Sequence, residues 1–200
     1  MTKQSDVLIR QKWIVPVPCL VLFTCVTTLS LLGAPPPLND ASSKESVPLL
    51  VTVELPRLKV REYHRPYVAV WIEDGSRKLV KHVSVWYQQG ANAEGHGEKW
   101  LPDMRQWWRR GGRKMDSSVD AVSGATRGVG KHLIRLTNKD LSELKPGKYN
   151  IVVEAAREVG GRELVRVPFS WPPKKSEQVQ LSGKTELGQV SIQITPPGVQ

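Results

Sequence analysis

Cysteine is almost absent from this chain of 200 residues. Its two cysteines, Cys19 and Cys25, both lie in an apolar run near the N-terminus. The rest of the chain therefore has no disulfide, no cysteine-based metal site and no c-type haem attachment motif. The four histidines are scattered, and no Ser/His/Asp arrangement with a recognisable motif occurs. These features argue against a metalloenzyme and against a hydrolase.

The composition indicates a globular and basic body. Hydrophobic residues make up 40% and charged residues 24% of the chain, which leaves room for one domain of ordinary size. Fifteen prolines and sixteen glycines favour turns and short strands over long helices. The net charge of +10 suggests anionic partners, namely phospholipid head groups or phosphate groups. Nucleic acid is not expected as a partner, because the N-terminus directs the chain out of the cytoplasm.

Residues 1–34 have the form of an export segment. A basic stretch precedes residues 14–32, which are uncharged and predict a hydrophobic helix. Prolines 35–37 follow directly and disfavour cleavage by signal peptidase. This favours an uncleaved inner-membrane anchor, and a cleaved signal peptide is the alternative. Either one makes the protein periplasmic or otherwise extracytoplasmic. Residues 35–48 are interpreted as a disordered Pro/Ser-rich linker, and residues 49–196 as the folded domain.

Alternating apolar and polar residues predict a mainly β domain. The predicted strands are 49–55, 67–73, 78–88, 132–136, 148–158, 162–171 and 188–195, with residues 174–187 as a polar loop. Strict alternation places His82 on the same strand face as Trp86, opposite Val85, and charged residues such as Glu154 on an outer face. One short helix is predicted from Pro102 to Arg110. The result is an antiparallel, immunoglobulin-like β-sandwich with one helical insertion.

The stretch DAVSGAT, residues 120–126, resembles the acceptor sequence of proteins that carry covalent FMN. That sequence is Asp, two variable residues, Ser or Thr, Gly, Ala, then Thr or Ser. The resemblance implies that a flavin transferase joins the FMN phosphate to Thr126, with Asp120, Ser123, Gly124 and Ala125 as its recognition frame. Gly124 is expected to provide a positive φ or a close approach in an exposed turn. The alternative is an ordinary Ser/Gly/Asp turn without a cofactor.

A Trp/Arg-rich segment precedes this stretch. Trp100, Met104, Trp107 and Trp108 are expected to form one apolar stripe. In one interpretation these tryptophans cover the core; in the other, Trp107 or Trp108 lies over a flavin ring. The glycines at 111–112 predict a flexible basic loop. The basic residues here are either a solvated face or neutralise a flavin phosphate; they are Arg105, Arg109, Arg110, Arg113, Lys114 and Arg127.

Four blocks, RPYVAVWIED, KWLPDMRQWWRR, DAVSGATR and YNIVVEAAREVGGRELVRVPFSW, together resemble the predicted periplasmic family called domain of unknown function 2271. The resemblance implies an export signal and a β-sandwich-like body. It also implies association with flavin transferases and with membrane redox proteins of the PepSY type. The resulting hypothesis is an electron carrier with FMN on Thr126, more than an enzyme with its own substrate. The alternative is a non-catalytic envelope module that binds anionic lipid or polymer through its basic face.

Overall fold

The computed structural model describes residues 47–92, 95–115 and 122–196. The predicted export segment, most of the predicted linker and Asp120 lie outside the described residues. The strands are β1 Leu49–Leu55, β2 Tyr67–Asp74, β3 Leu79–Tyr87, β4 Ala91–Asn92, β5 Gly95–His96, β6 Ser123–Ala125, β7 Gly130–Leu136, β8 Gly147–Ala156, β9 Arg162–Trp171, β10 Glu177–Ser182 and β11 Gln189–Ile194. The helices are α1 Arg105–Arg110, α2 Asn138–Leu141 and two 3₁₀ helices, Gly97–Asp103 and Gly112–Lys114.

Two sheets contain most of these strands. One has the order β10-β11-β1-β7 and the other the order β6-β3-β2-β8-β9, while β4 and β5 pair only with each other. The neighbours are antiparallel except β3 and β6, which are parallel. The prediction of a mainly β protein is confirmed. The prediction that all strands pair antiparallel is wrong for β6. The finer immunoglobulin-like assignment stays a prediction.

The main core lies between the two sheets, because alternate residues of both contribute to one buried cluster. In β1 the buried side chains are Leu49, Val51, Val53 and Leu55, as strict alternation predicts. In β8 Ile151 and Val153 face the same core. No helix in the described part of the chain is long and apolar enough to span a membrane.

A second buried cluster lies on the other face of the five-stranded sheet. There Trp71 and Val152 of the sheet pack against Leu101, Met104 and Trp107 of the helical segment. Both faces of the central strands are therefore covered, which explains why β2 is buried at six consecutive positions instead of alternating.

Three expectations about local structure are corrected. The pairing of β2 with β3 shifts register between Val70 and Trp71, so that Trp71 lies opposite His82 and Val68 opposite Trp86. This bulge places His82 against the second cluster, on the opposite face from Trp86. The predicted polar loop 174–187 contains strand β10. The predicted flexible loop at 111–114 includes a 3₁₀ helix, whose Gly112 is buried against the ring of Trp107.

Candidate functional site

The predicted acceptor stretch is a strand where it is described. Ser123–Ala125 form β6, the end strand of the five-stranded sheet, with Gly124 opposite Trp86 of β3. The Val85 amide donates to the Val122 carbonyl at 2.7 Å, and the Thr126 amide donates to the Tyr87 carbonyl at 3.1 Å. Both ends of residues 122–126 are thus held on β3, so the expectation of a tight turn is wrong for these residues.

Gly124 lacks both features expected of it. Its φ does not lie in the left-handed region. Among the described residues, a Cβ built at Gly124 has Trp86 Cδ1 as its nearest neighbour, at 3.7 Å, which is an ordinary van der Waals distance. No described neighbour therefore requires glycine at this position.

Thr126 is half-buried and lines a cavity of about 350 Å³. Tyr67 and Trp100 supply aromatic surface, while Ala156 and Val159 supply apolar surface. The ring of Tyr67 also meets that of Tyr87 edge-on, with 6.4 Å between the centroids. The cavity falls within the size range of small-molecule sites, roughly 300–1,000 Å³.

Charged groups of both signs complete the cavity lining. The basic ones are His64, Arg65 and Arg157, and the acidic ones are Asp103 and Glu158. His64 lies between two carboxylates, with its Nδ1 3.5 Å from Glu158 and its Nε2 3.0 Å from Glu62.

Arg157 is held rigidly beside this cavity. Its Nε and Nη2 donate to the two carboxylate oxygens of Glu186 at 2.8 and 3.1 Å, and both side chains are 5% exposed. This hydrogen bonding to Glu186 raises the pKa of Arg157, so the guanidinium stays charged. Its Nη1 is buried without a hydrogen-bond partner among the described residues. A buried cation with unused donor capacity favours an anionic or carbonyl oxygen nearby.

The predicted tryptophan stripe is only partly correct. Met104 and Trp107 are fully buried and Trp108 is half-buried, but Trp100 is 41% exposed. Neither Trp107 nor Trp108 lines the cavity beside Thr126, whereas Trp100 does. The Nε1 group of Trp107 donates to His82 Nδ1 at 3.0 Å. The structure thus separates Trp107 from Thr126, although the sequence grouped them.

Helix α1 starts three residues later than predicted. The carboxylate of Glu154 accepts hydrogen bonds from the amides of Gln106 and Trp107, at 3.1 and 2.8 Å. Since an anion at a helix N-terminus satisfies amides that lack an intrahelical partner, this contact fixes where α1 begins. Glu154 is fully buried, so its expected place on a solvated outer face is wrong.

Arg127 and the other predicted basic residues do not gather around Thr126. The Arg127 guanidinium lies 4.3 Å from the ring centroid of Trp86. Arg105, Arg109, Arg113 and Lys114 are exposed and do not line the cavity. Sequence reasoning missed Tyr67, Trp100, Arg65 and Arg157, because they come from three distant segments that only the folded sheet brings together. No group of metal-binding side chains occurs among the described residues.

Comparisons with known proteins agree with the compartment inferred from the N-terminus. No curated protein and no solved structure matches the chain. A family profile described as "Predicted periplasmic protein (DUF2271)" matches residues 48–189, which include every strand of the two main sheets except most of β11. The match covers well over half of the sequence, and the chain therefore belongs to this family of predicted periplasmic proteins.

Proposed function

We propose that this protein is an extracytoplasmic electron carrier with FMN bound covalently to Thr126. The observation that carries the proposal is that Thr126 belongs both to the acceptor-like segment and to the lining of a cavity. It ends the acceptor-like segment directly after β6, and it lines a cavity within the size range of small-molecule sites. A phosphoester at its hydroxyl would leave the rest of FMN next to that cavity.

The cavity lining suits a flavin. An isoalloxazine has apolar faces and a polar pyrimidine edge with carbonyl oxygens. Tyr67 and Trp100 offer aromatic surface for the faces, Arg65 offers donors for the phosphate or the carbonyl edge, and Arg157 adds a fixed positive charge. Because Trp100 lines the cavity and Trp107 does not, Trp100 is the tryptophan we assign to the ring.

Gly124 supports the same proposal from a different direction. The described part of the fold tolerates a side chain at this position, since Trp86 Cδ1 is the one described atom within 4 Å of the added Cβ. If the fold does not require this glycine, its presence is explained by recognition of the residue by another protein. In this proposal that protein is the flavin transferase, whose recognition sequence contains glycine here.

Bound FMN would supply one- and two-electron chemistry, while this chain supplies its position and electrostatic surroundings. The donor or acceptor we propose is a membrane redox protein of the PepSY type. An anchor formed by residues 14–32 would hold the carrier close to such a partner.

Mass spectrometry tests the proposal directly. The full chain is incubated with FAD and a purified flavin transferase, alongside a known acceptor as a positive control. We expect a mass increase of one FMN less one water, located on Thr126. Thr126→Ser should retain the label and Thr126→Ala should lose it, whereas Thr185→Ala, at an exposed position, should be labelled like the wild type. An unlabelled wild type beside a labelled positive control would rule the proposal out.

A specific observation favours a second candidate, binding to an anionic surface. Arg105, Arg109, Arg113 and Lys114 are exposed on one ordered segment and have no carboxylate partner among the described residues. Vesicles with and without anionic phospholipid test it. Neutralising these four residues should abolish binding at low salt, whereas neutralising Lys145, Lys148, Lys174 and Lys175 should not. An equal loss of vesicle binding in both variants would indicate that binding depends on the net charge of the protein and not on this segment.

A further inference from the structure

The acceptor segment is built into the sheet, and this has a consequence for its modification. We propose that the flavin transferase acts on residues 122–126 only after they have separated from β3, and that the flavin enters the cavity when β6 pairs again. This inference rests on the proposed function, because it concerns how the same threonine becomes modified. It identifies the partner's binding surface as the opened strand, not the folded edge.

The first argument is the size of the donor. FAD consists of two nucleotide halves, and the cavity of about 350 Å³ lies near the lower end of the range for small-molecule sites. Such a cavity suits the flavin part of the product and does not suit the whole of FAD. The cavity beside the folded Thr126 is therefore assigned to the attached flavin, and the FAD donor has to be held by the transferase outside it.

The second argument is the geometry of the reaction. The Thr126 hydroxyl attacks the phosphorus of the FMN half of FAD. The new bond joins Oγ to that phosphorus, the bond to the AMP phosphate breaks, AMP leaves, and the hydroxyl proton passes to a base of the transferase. No oxidation or reduction occurs. Attack and departure on opposite sides of the phosphorus require the transferase to surround the hydroxyl. Thr126 is half-buried and lines a concave site, which hinders a second concave site from closing around it.

The third argument is that β6 can open without unfolding the domain. It has three residues, lies at the end of the sheet and pairs with β3. Its flanking backbone contacts to β3 are the Val85 and Thr126 amide bonds, at 2.7 and 3.1 Å. The main core lies between the two sheets, and Ser123–Ala125 do not belong to it. Short end strands of this kind separate at a small fraction of the free energy of global unfolding.

Opening can also promote recognition. A released strand presents its backbone amides and carbonyls, which a partner can pair by strand addition while pockets read alternate side chains. In the paired state the carbonyl of Val122 and the amide of Thr126 are occupied by β3. Separation from β3 makes these groups available to the transferase.

The test compares two substrates at equal concentration with transferase and FAD, namely the folded full chain and a synthetic peptide of residues 115–130. We expect the initial rate of FMN incorporation into the peptide to exceed that into the folded chain by at least about ten-fold, because only the open population of the folded chain reacts. Urea well below the unfolding midpoint should narrow this difference, and a known acceptor reports any effect of urea on the transferase itself.

Each outcome decides between the two hypotheses. A faster peptide supports opening before transfer. A folded chain that reacts as fast as the peptide, or a peptide that does not react while the folded chain does, overturns the inference but leaves the proposed function intact. If neither substrate is labelled while the known acceptor is, the proposed function itself fails.

Discussion

The carboxylate of Glu154 accepts a hydrogen bond of 2.8 Å from the backbone amide of Trp107, which joins a central strand to the first turn of α1. Glu154 also accepts from the amide of Gln106, and at 2.7 Å from Arg162, whose side chain is 38% exposed. Because a salt bridge to an exposed arginine contributes little, the two amide contacts are the stronger part of this arrangement.

We therefore expect Glu154→Ala to lower the free energy of unfolding by about 3 kcal/mol, since it leaves buried amides without an acceptor. Glu154→Gln, which keeps one acceptor oxygen, should cost roughly half as much. Urea unfolding followed by tryptophan fluorescence measures both. Arg162→Ala should cost less than Glu154→Ala; an equal or larger cost would show that the ion pair dominates.

His82 should make stability depend on pH. Burial lowers the pKa of His82. The Trp107 indole can only donate, so His82 Nδ1 accepts and its ring is neutral in the folded protein. Since the unfolded chain binds this proton first, stability should fall as the pH drops below the ordinary value of 6.5, by at most about 1.4 kcal/mol per pH unit.

Urea unfolding at several pH values between 5 and 8 measures this effect. His82→Gln retains an acceptor for Trp107 and does not titrate, so its stability should decrease less steeply in this range. The matched variant His96→Gln, at an exposed position, should keep the slope of the wild type. Equal slopes for wild type and His82→Gln would contradict the assignment.

Much of the fold was predictable because alternation reports burial on one face of a strand. β1 and β11 alternate clearly, and the hairpin between β8 and β9 is marked by Val159-Gly160-Gly161. Strand β10 was missed because its composition is polar, yet Val179 and Leu181 alternate with glutamines. In this strand, alternation is a better indicator of the structure than composition.

The candidate site was less predictable because its contacts are long-range. The burial of Glu154 depends on residues 97–115 folding over the sheet, and nothing near Glu154 in the sequence indicates that. The bulge that turns His82 away from the Trp86 face has no residue signature either. The acceptor resemblance predicts Thr126 as a site residue, but the cavity beside it is assembled from the ends of β2 and β8 and from the 3₁₀ helix before α1, which the sequence does not indicate.

Glu163 should contribute to stability at neutral pH. Its burial alone would raise its pKa, but the amides of residues 184–187 donate to its carboxylate and lower the pKa overall. Its contribution is therefore present above the ordinary value of 4.5 and is lost as the pH falls through the lowered pKa. We expect Glu163→Gln to lose about 1–2 kcal/mol at pH 7.

The same comparison at about pH 3 should show a smaller difference between Glu163→Gln and wild type, because the wild-type carboxyl becomes protonated as well. Glu143→Gln, at an exposed position, should match wild type at both pH values. A difference for Glu163→Gln that stays constant with pH would mean that the side chain acts through shape and not through charge.

Gly97 packs closely against Gln88 and Tyr67, two residues that line the cavity. A Cβ at Gly97 would overlap the Gln88 carbonyl and lie 2.8 Å from the Tyr67 hydroxyl. We expect Gly97→Ala to lose about 1–3 kcal/mol of stability and to displace cavity-lining side chains. Gly128→Ala, where no atom of the described residues lies within 4 Å, should change stability by less than about 0.5 kcal/mol. Thermal unfolding of both variants measures these changes in stability. An unchanged stability of Gly97→Ala would show that Gln88 and Tyr67 move aside at little cost.

Under the proposed function, a substitution at Gly124 separates the requirements of the fold from those of the flavin transferase. Because the nearest described atom to its added Cβ is Trp86 Cδ1, at 3.7 Å, Gly124→Ala should change the free energy of unfolding by less than about 0.5 kcal/mol. Its labelling with FMN should nevertheless fall by at least about ten-fold, since the transferase would meet a methyl group where its recognition sequence has none. Unfolding curves and mass spectrometry on the same sample measure the two effects. Normal labelling of a stable Gly124→Ala would mean that no partner reads this glycine, and the argument from Gly124 to a flavin acceptor would be lost.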